Sequence, residues 1–178
     1  DKDGIQGRTE ADALLVAAGR RPNIEGLDLD HIGLAVTRQG IAVNGYLQTS
    51  LPHIYAAGDA VGPYQFSHMA NYQAIVAVSN AFLPFKKRVN YDAVPWCTFT
   101  DPELARSGLT EAQAREKYGS KIRVYRADYA KLDRARTERA TDGLAKFVCD
   151  ARGKILGIHI LGQRAGEVLH EAHAARTL

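Results

Sequence analysis

Apolar residues fall along this chain in short runs and in a few stretches with helical rhythm. The first run, ALLVAA from Ala13 to Ala18, is continuous and stops at Gly19. A run of that length bounded by glycine predicts a strand buried on both faces, the kind found inside a parallel sheet. GRRPN then breaks the pattern, and the proline pushes Arg21 towards extended geometry. GLAVTRQGIAVNGYLQT alternates weakly around Gln39–Gly40 and predicts a hairpin or two short strands. A second buried strand is expected from His53 to Ala57, running into Gly58–Asp59 and a loose turn with glycine and proline. From Ser67 to Leu83, residues Met69, Tyr72, Ile75, Val76, Ser79 and Phe82 recur at three- and four-residue spacing, which predicts a helix with Ser67 as N-cap.

After Leu83 the texture changes. PFKKRVNYD is charged and opens on proline, so a domain boundary is placed there, with residues 1–84 in one domain and 85–178 in the next. VPWCTFT and KIRVYRADY read as strands. LTEAQAREKYG reads as a helix capped by Thr110, with Gln113 at the capping-box position and Gly119 as its stop. LAKFVCDARGKILGIHIL reads as two strands joined through DARG, where Gly153 supplies a positive-φ turn residue. GEVLHEAHAARTL begins a last helix. The expected architecture is an α+β second domain, preceded by the C-terminal end of an α/β domain.

The bulk numbers narrow the function classes. The 178 residues are 46% hydrophobic and 24% charged, with a formal net charge of +3, which suits one globular domain or two small ones. Acids and bases are interspersed, and no basic block alternates with aromatics, so nucleic-acid binding is not expected. No apolar stretch reaches the length of a membrane span. The polar opening DKDGIQGRTEADALL does not read as a signal peptide. Cys97 and Cys149 form neither a CxxC nor a metal-ligand spacing, which favours two reduced thiols in a cytoplasmic protein. His170, Glu171 and His173 are one residue short of HExxH spacing, so ordinary surface contacts are expected of that helix face. KLDRARTERATDG is read as a solvated loop, with contact to an anionic substrate as the alternative; in FTDPELA, Pro102 starts a short turn before Leu104; Trp96 and Phe99 are read as core or interface aromatics.

Gly58–Asp59 carries the most chemistry. Glycine lets a ligand approach the backbone, and a carboxylate accepts hydrogen bonds from two neighbouring hydroxyls, as on a sugar or ribitol chain. The helix expected from Ser67 offers amide groups and a partial positive charge to an anionic or electron-rich ligand edge. The same residues equally fit an Asx-type turn and a plain helix cap.

DALLVAAGRRPN, LQTSLPHIYAAGDAVG, FTDPELARSGLTEAQA and GKILGIHILGQRAGE occur in that order. Together they resemble the C-terminal half of the flavin-dependent pyridine nucleotide–disulfide oxidoreductases, which include dihydrolipoamide dehydrogenase, glutathione reductase and mercuric reductase. QFSHMANYQA and LDRARTERATDG look most like mercuric reductase and its relatives. The resemblance covers nearly the whole chain. It implies an α+β interface (dimerisation) domain preceded by the end of an α/β FAD-binding domain. It further implies FAD as cofactor, NAD(P)H as electron donor in the parent enzyme, and a homodimer formed from about Tyr91 onwards. Residue by residue, it assigns Gly19 to the segment closing the nicotinamide domain and Gly58 and Asp59 to the flavin site, with Asp59 on the ribitol. Phe66 and Ser67 would turn backbone N–H groups to the flavin pyrimidine edge, and His68 would stand beside them.

The chain also departs from that pattern. It has no G-x-G-x-x-G, and the family's redox-active cysteine pair is missing. The family's His-Glu pair lies beyond the final helix. The expectation is therefore a fragment with its interface domain truncated at the C-terminus, without catalytic residues of its own, and binding FAD weakly or not at all. The alternatives are a stand-alone dimerisation module or a non-enzymatic relative without redox activity.

Overall fold

The computed structural model describes Arg8 and residues 10–178, so most of the polar lead ahead of Ala13 lies outside the described residues. The chain forms two compact units, Asp1–Val89 and Asn90–Leu178.

In the first unit, Val36–Thr37 (β1) and Gly40–Ile41 (β2) form the antiparallel hairpin expected around Gln39–Gly40. The Thr37 hydroxyl accepts the Gln39 N–H at 3.2 Å and steadies the turn. Gly40, at φ +126, lies so close to the Ala60 carbonyl that a Cβ would sit 2.1 Å from the oxygen. The two expected buried strands do not form. Leu14, Leu15 and Val16 are 87%, 89% and 75% exposed, and the stretch from Ala13 to Ala18 has no strand assignment. A buried strand needs neighbours along both edges, and none of the described residues pairs with this run. The stretch from His53 to Ala57 is partly exposed and makes a single bridge, Gln48 with Tyr55. Among the described residues, then, the α/β end contributes no parallel sheet; what forms is a hairpin and a helix.

That helix, α1, spans Ser67–Phe82. Its N-cap is Phe66, with Ser67 as the first helical residue instead of the cap. The buried face is Met69, Gln73, Val76, Ala77 and Asn80, so the stripe drawn from apolar residues alone is rotated from the true one, and Ile75 and Phe82 stay exposed. Two of the five inward positions are polar. Asn80, fully buried, donates from Nδ2 to the Tyr46 and Lys87 carbonyls at 2.9 and 2.8 Å and accepts the Lys87 N–H at 2.7 Å. It thereby joins three segments whose backbone groups have no sheet to enter. Leu47, Val76 and Ala77 form the local core.

The second unit is a five-stranded antiparallel sheet of order β3-β4-β7-β6-β5. Its strands are Pro95–Thr98 (β3), Glu103–Gly108 (β4), Arg123–Asp128 (β5), Leu144–Cys149 (β6) and Ile155–Gly162 (β7). β4, which follows the turn expected at Pro102 and was given no strand from sequence, pairs with both β3 and β7. Its inward residues, Ala105 and Ser107, are small and fully buried and leave no apolar rhythm. Between β6 and β7, Val148 pairs with Gly157 and Cys149 with Ile155, which leaves Leu156 of β7 as a bulge residue; it packs with Ala114 and Val148.

Glu111–Tyr118 (α2) begins as expected: Thr110 Oγ1 accepts the Gln113 N–H at 3.1 Å and Gln113 Oε1 accepts the Thr110 N–H at 2.9 Å. Gly119, at φ +63, ends it. Asp133–Thr137 (α3) is a short helix within the stretch expected to be a loop. Ala165–Thr177 (α4) buries Ala165 and Leu169 against Ala105, Ile158 and Ile160, with Tyr129 and Ala135 completing the core.

Candidate functional site

The Gly58–Asp59 turn is set by the residues around it. Ala57 is extended, and Gly58 at φ +73 turns the chain into a 3-10 turn, Gly58–Ala60, closed by the Val61 N–H on the Gly58 carbonyl at 3.1 Å. A Cβ at Gly58 would sit 3.2 Å from that of Ala70 on α1, so both backbone angle and space call for glycine. The N–H of Gly58 donates to Gln73 Oε1 at 2.6 Å, and Gln73 is fully buried.

Asp59 follows with its side chain 47% exposed. Its Oδ2 lies 3.3 Å from Arg20 Nη1, which also donates to the Gln65 carbonyl at 3.3 Å. This fork brings the segment after Gly19 beside the carboxylate and the approach to α1. The carboxylate faces outward and does not tie down its own loop, so it remains able to take hydroxyl donors. At this degree of exposure the ion pair stabilises the fold by less than about 1 kcal/mol. Gly19 itself is exposed, at φ +128, with nothing within 4 Å of where its Cβ would be.

The mouth of α1 lies on the same unit. Phe66 as N-cap has no side-chain oxygen for the first turn, and Ser67 and His68 are exposed. The Phe66 and His68 rings stack at 5.4 Å between centroids and 12° between planes. Of the six residues singled out from sequence, Gly58, Asp59, Phe66, Ser67 and His68 thus flank one bend of the chain, and Gly19 is linked to it through Arg20. Sequence reasoning missed Arg20 and Gln73. Gln73 left a signal: it lies four residues after Met69 and three before Val76, at an inward helical position held by a polar residue.

In the second unit the titratable groups are structural. Burial, and then the Glu103 carboxylate, push the Cys97 thiol up; burial and Asp150 do the same for Cys149, so neither is primed as a nucleophile. Glu103 Oε2 instead accepts the Gly166 N–H at 3.0 Å at the start of α4. His173 Nδ1 meets the Ser107 hydroxyl at 2.8 Å, and Arg176 Nε donates to the same oxygen at 3.2 Å. Burial first, then Arg176 and His170, hold the His173 imidazole below its ordinary pKa. Among the described residues no group of three or more His, Cys, Asp or Glu side chains could hold a metal ion, and no helix is long and apolar enough to cross a membrane.

Comparison with known proteins follows the same division. Residues 1–81 match the sequence model of the pyridine nucleotide-disulphide oxidoreductases, and residues 94–178 match that of the dimerisation domain of those proteins. The chain is 38% identical over 168 residues to dihydrolipoyl dehydrogenase of Bacillus subtilis, covering 94% of this chain and 36% of that protein. It is 41% identical over 169 residues to mercuric reductase of Staphylococcus aureus, covering 93% of this chain and 30% of that protein. Among solved structures, the HOCl-induced flavoprotein disulfide reductase RclA of Escherichia coli superposes with a TM-score of 0.77 at 32% identity, over 93% of this chain and 38% of that one. The chain thus spans about a third of the length of the curated relatives it matches.

Proposed function

Because the chain belongs to the pyridine nucleotide-disulphide oxidoreductases, whose members are flavin-dependent enzymes, we propose that it supplies one part of a FAD site and the dimer interface of a NAD(P)H oxidoreductase of the mercuric reductase or dihydrolipoamide dehydrogenase type. In this reading residues 1–84 carry the cofactor contacts and residues 85–178 the interface, with a homodimer formed from about Tyr91 onwards. The two unpaired thiols go with a cytoplasmic location.

One observation carries the reading: a half-exposed Asp59 carboxylate directly after a buried, positive-φ Gly58 on the shoulder of α1. Asp59 would accept hydrogen bonds from the ribitol hydroxyls of FAD, and Gly58 leaves the backbone open to close approach. Phe66, Ser67 and His68 would stand at the pyrimidine edge, where the positive end of α1 favours negative charge. Gly19 and Arg20 would border the same ligand. When bound, FAD would supply the electron-carrying chemistry; these residues bind and orient it.

The test is FAD affinity, read by quenching of flavin fluorescence on titration with the protein. Asp59→Ala removes hydrogen bonds to a charged acceptor worth about 1.5–3 kcal/mol, a loss of roughly 10- to 100-fold in Kd. An unchanged Kd would remove Asp59 from the site. A second reading, an assembly module without redox chemistry, draws on the separate core of Asn90–Leu178. A dimer in light scattering that takes up no flavin would select it.

A further inference from the structure

We infer that Gln73 is a positioning residue for Asp59, acting through the Gly58 N–H and so setting the direction in which the carboxylate meets a diol-bearing ligand. This rests on the reading of the flavin site just given.

Gln73 occupies an inward position of α1 among Met69, Val76 and Ala77 and is fully buried. If packing were the only demand there, an apolar residue would serve, since glutamine loses more rotamer freedom on burial and requires polar partners. Its Oε1 instead meets the Gly58 N–H at 2.6 Å, at the first residue of the 3-10 turn whose second residue is Asp59. Two constraints then act on Gly58. Both come from α1: Ala70 limits the space at the Gly58 Cα, and the Gln73 bond holds its N–H. The left-handed backbone at φ +73 is accessible to glycine but not unique to it in energy, so the bond selects it.

The leverage on Asp59 is large. A rotation of roughly 20° at the Gly58 backbone displaces a group about 5 Å away by about 1.7 Å. Hydrogen bonds to a hydroxyl tolerate a few tenths of an ångström, so such a swing removes the contact. Arg20 reaches Asp59 from the solvent side but is itself 67% exposed and cannot fix the turn.

The test compares Gln73→Leu and Gln73→Glu with wild type in the full chain, reading Gly58 amide exchange by NMR, FAD affinity and melting temperature. Glutamate keeps the acceptor but buries a carboxylate, so it should lower the melting temperature yet retain Gly58 protection and FAD affinity near wild type. Leucine should speed Gly58 exchange at least tenfold and weaken FAD about tenfold. A merely structural role predicts that affinity follows melting temperature; Gln73→Glu binding as poorly as Gln73→Leu would overturn the inference. So would unaltered affinity or exchange in Gln73→Leu. If this chain, which supplies one part of the flavin site, takes no measurable FAD, the exchange data alone decide whether Gln73 holds Gly58.

Discussion

Replacing Asn80 by alanine is expected to loosen the first unit far more than a single amide deletion on a helix surface. Asn80 is fully buried and its side chain makes three hydrogen bonds, to the Tyr46 carbonyl and to both backbone groups of Lys87. Each such bond contributes about 1 kcal/mol net, so three amount to about 3 kcal/mol. Alanine's better helix propensity offsets about 0.5 kcal/mol, which leaves a loss of about 2.5 kcal/mol. Asn80→Asp should be no better, because its carboxylate would face the two carbonyl oxygens that now receive Nδ2. Urea unfolding followed by circular dichroism measures the loss, and hydrogen exchange by mass spectrometry localises it to residues 44–48 and 86–89. A change within about 0.5 kcal/mol of wild type, the ordinary range for surface substitutions, would refute the role given to Asn80. So would unchanged exchange in both segments.

Two further outcomes concern the second unit. His159 and His173 are both held below the ordinary imidazole pKa, chiefly by burial, with Arg106 and Lys146 adding at His159 and Arg176 and His170 at His173. The Leu109 carbonyl and Glu111 pull the other way at His159 without reversing it. The unfolded chain therefore binds more protons below about pH 6.5, so stability is full above that value and falls as pH drops through the native values. Thermal melts across that range should show the fall, and His173→Asn should flatten it; a fully flat wild-type profile would contradict the assignment. Thr110→Ala removes one half of the capping box and should lower stability by about 1 kcal/mol. The corresponding drop in Tm is about 5 °C, measurable by calorimetry, and no drop would mean that Gln113 alone holds the helix start.

What could be read from the sequence was what depends on near neighbours. The capping box of Thr110 and Gln113, the Gly119 stop and the Gly153 turn each need only a few residues, and all are in place. The strands from Leu144 and Ile155 were legible because their apolar residues lie close together on either side of that turn. ALLVAA was misread because a strand exists only with partners, and pairing is not written in the run itself. β4 was missed because Ala105 and Ser107, on the face covered by α4, are small and leave no apolar rhythm. At the site, glycine and carboxylate stood out by type. Gln73 and Asn80 did not, because an inward polar residue looks like an outward one until the backbone groups it serves are seen. Arg20 was hidden for a simpler reason: 39 residues separate it from Asp59.

The bare leucines and valine near the beginning of the described chain are where association at high concentration is expected to start. Leu14, Leu15 and Val16 form a sticky, proline-free seam that a second molecule could zip onto. Charges frame that seam on both sides, Glu10 and Asp12 before it and Arg20 and Arg21 after it. Such gatekeepers set like against like when two copies stack in parallel, so the expected guard against stacking is a handful of flanking charges and not burial.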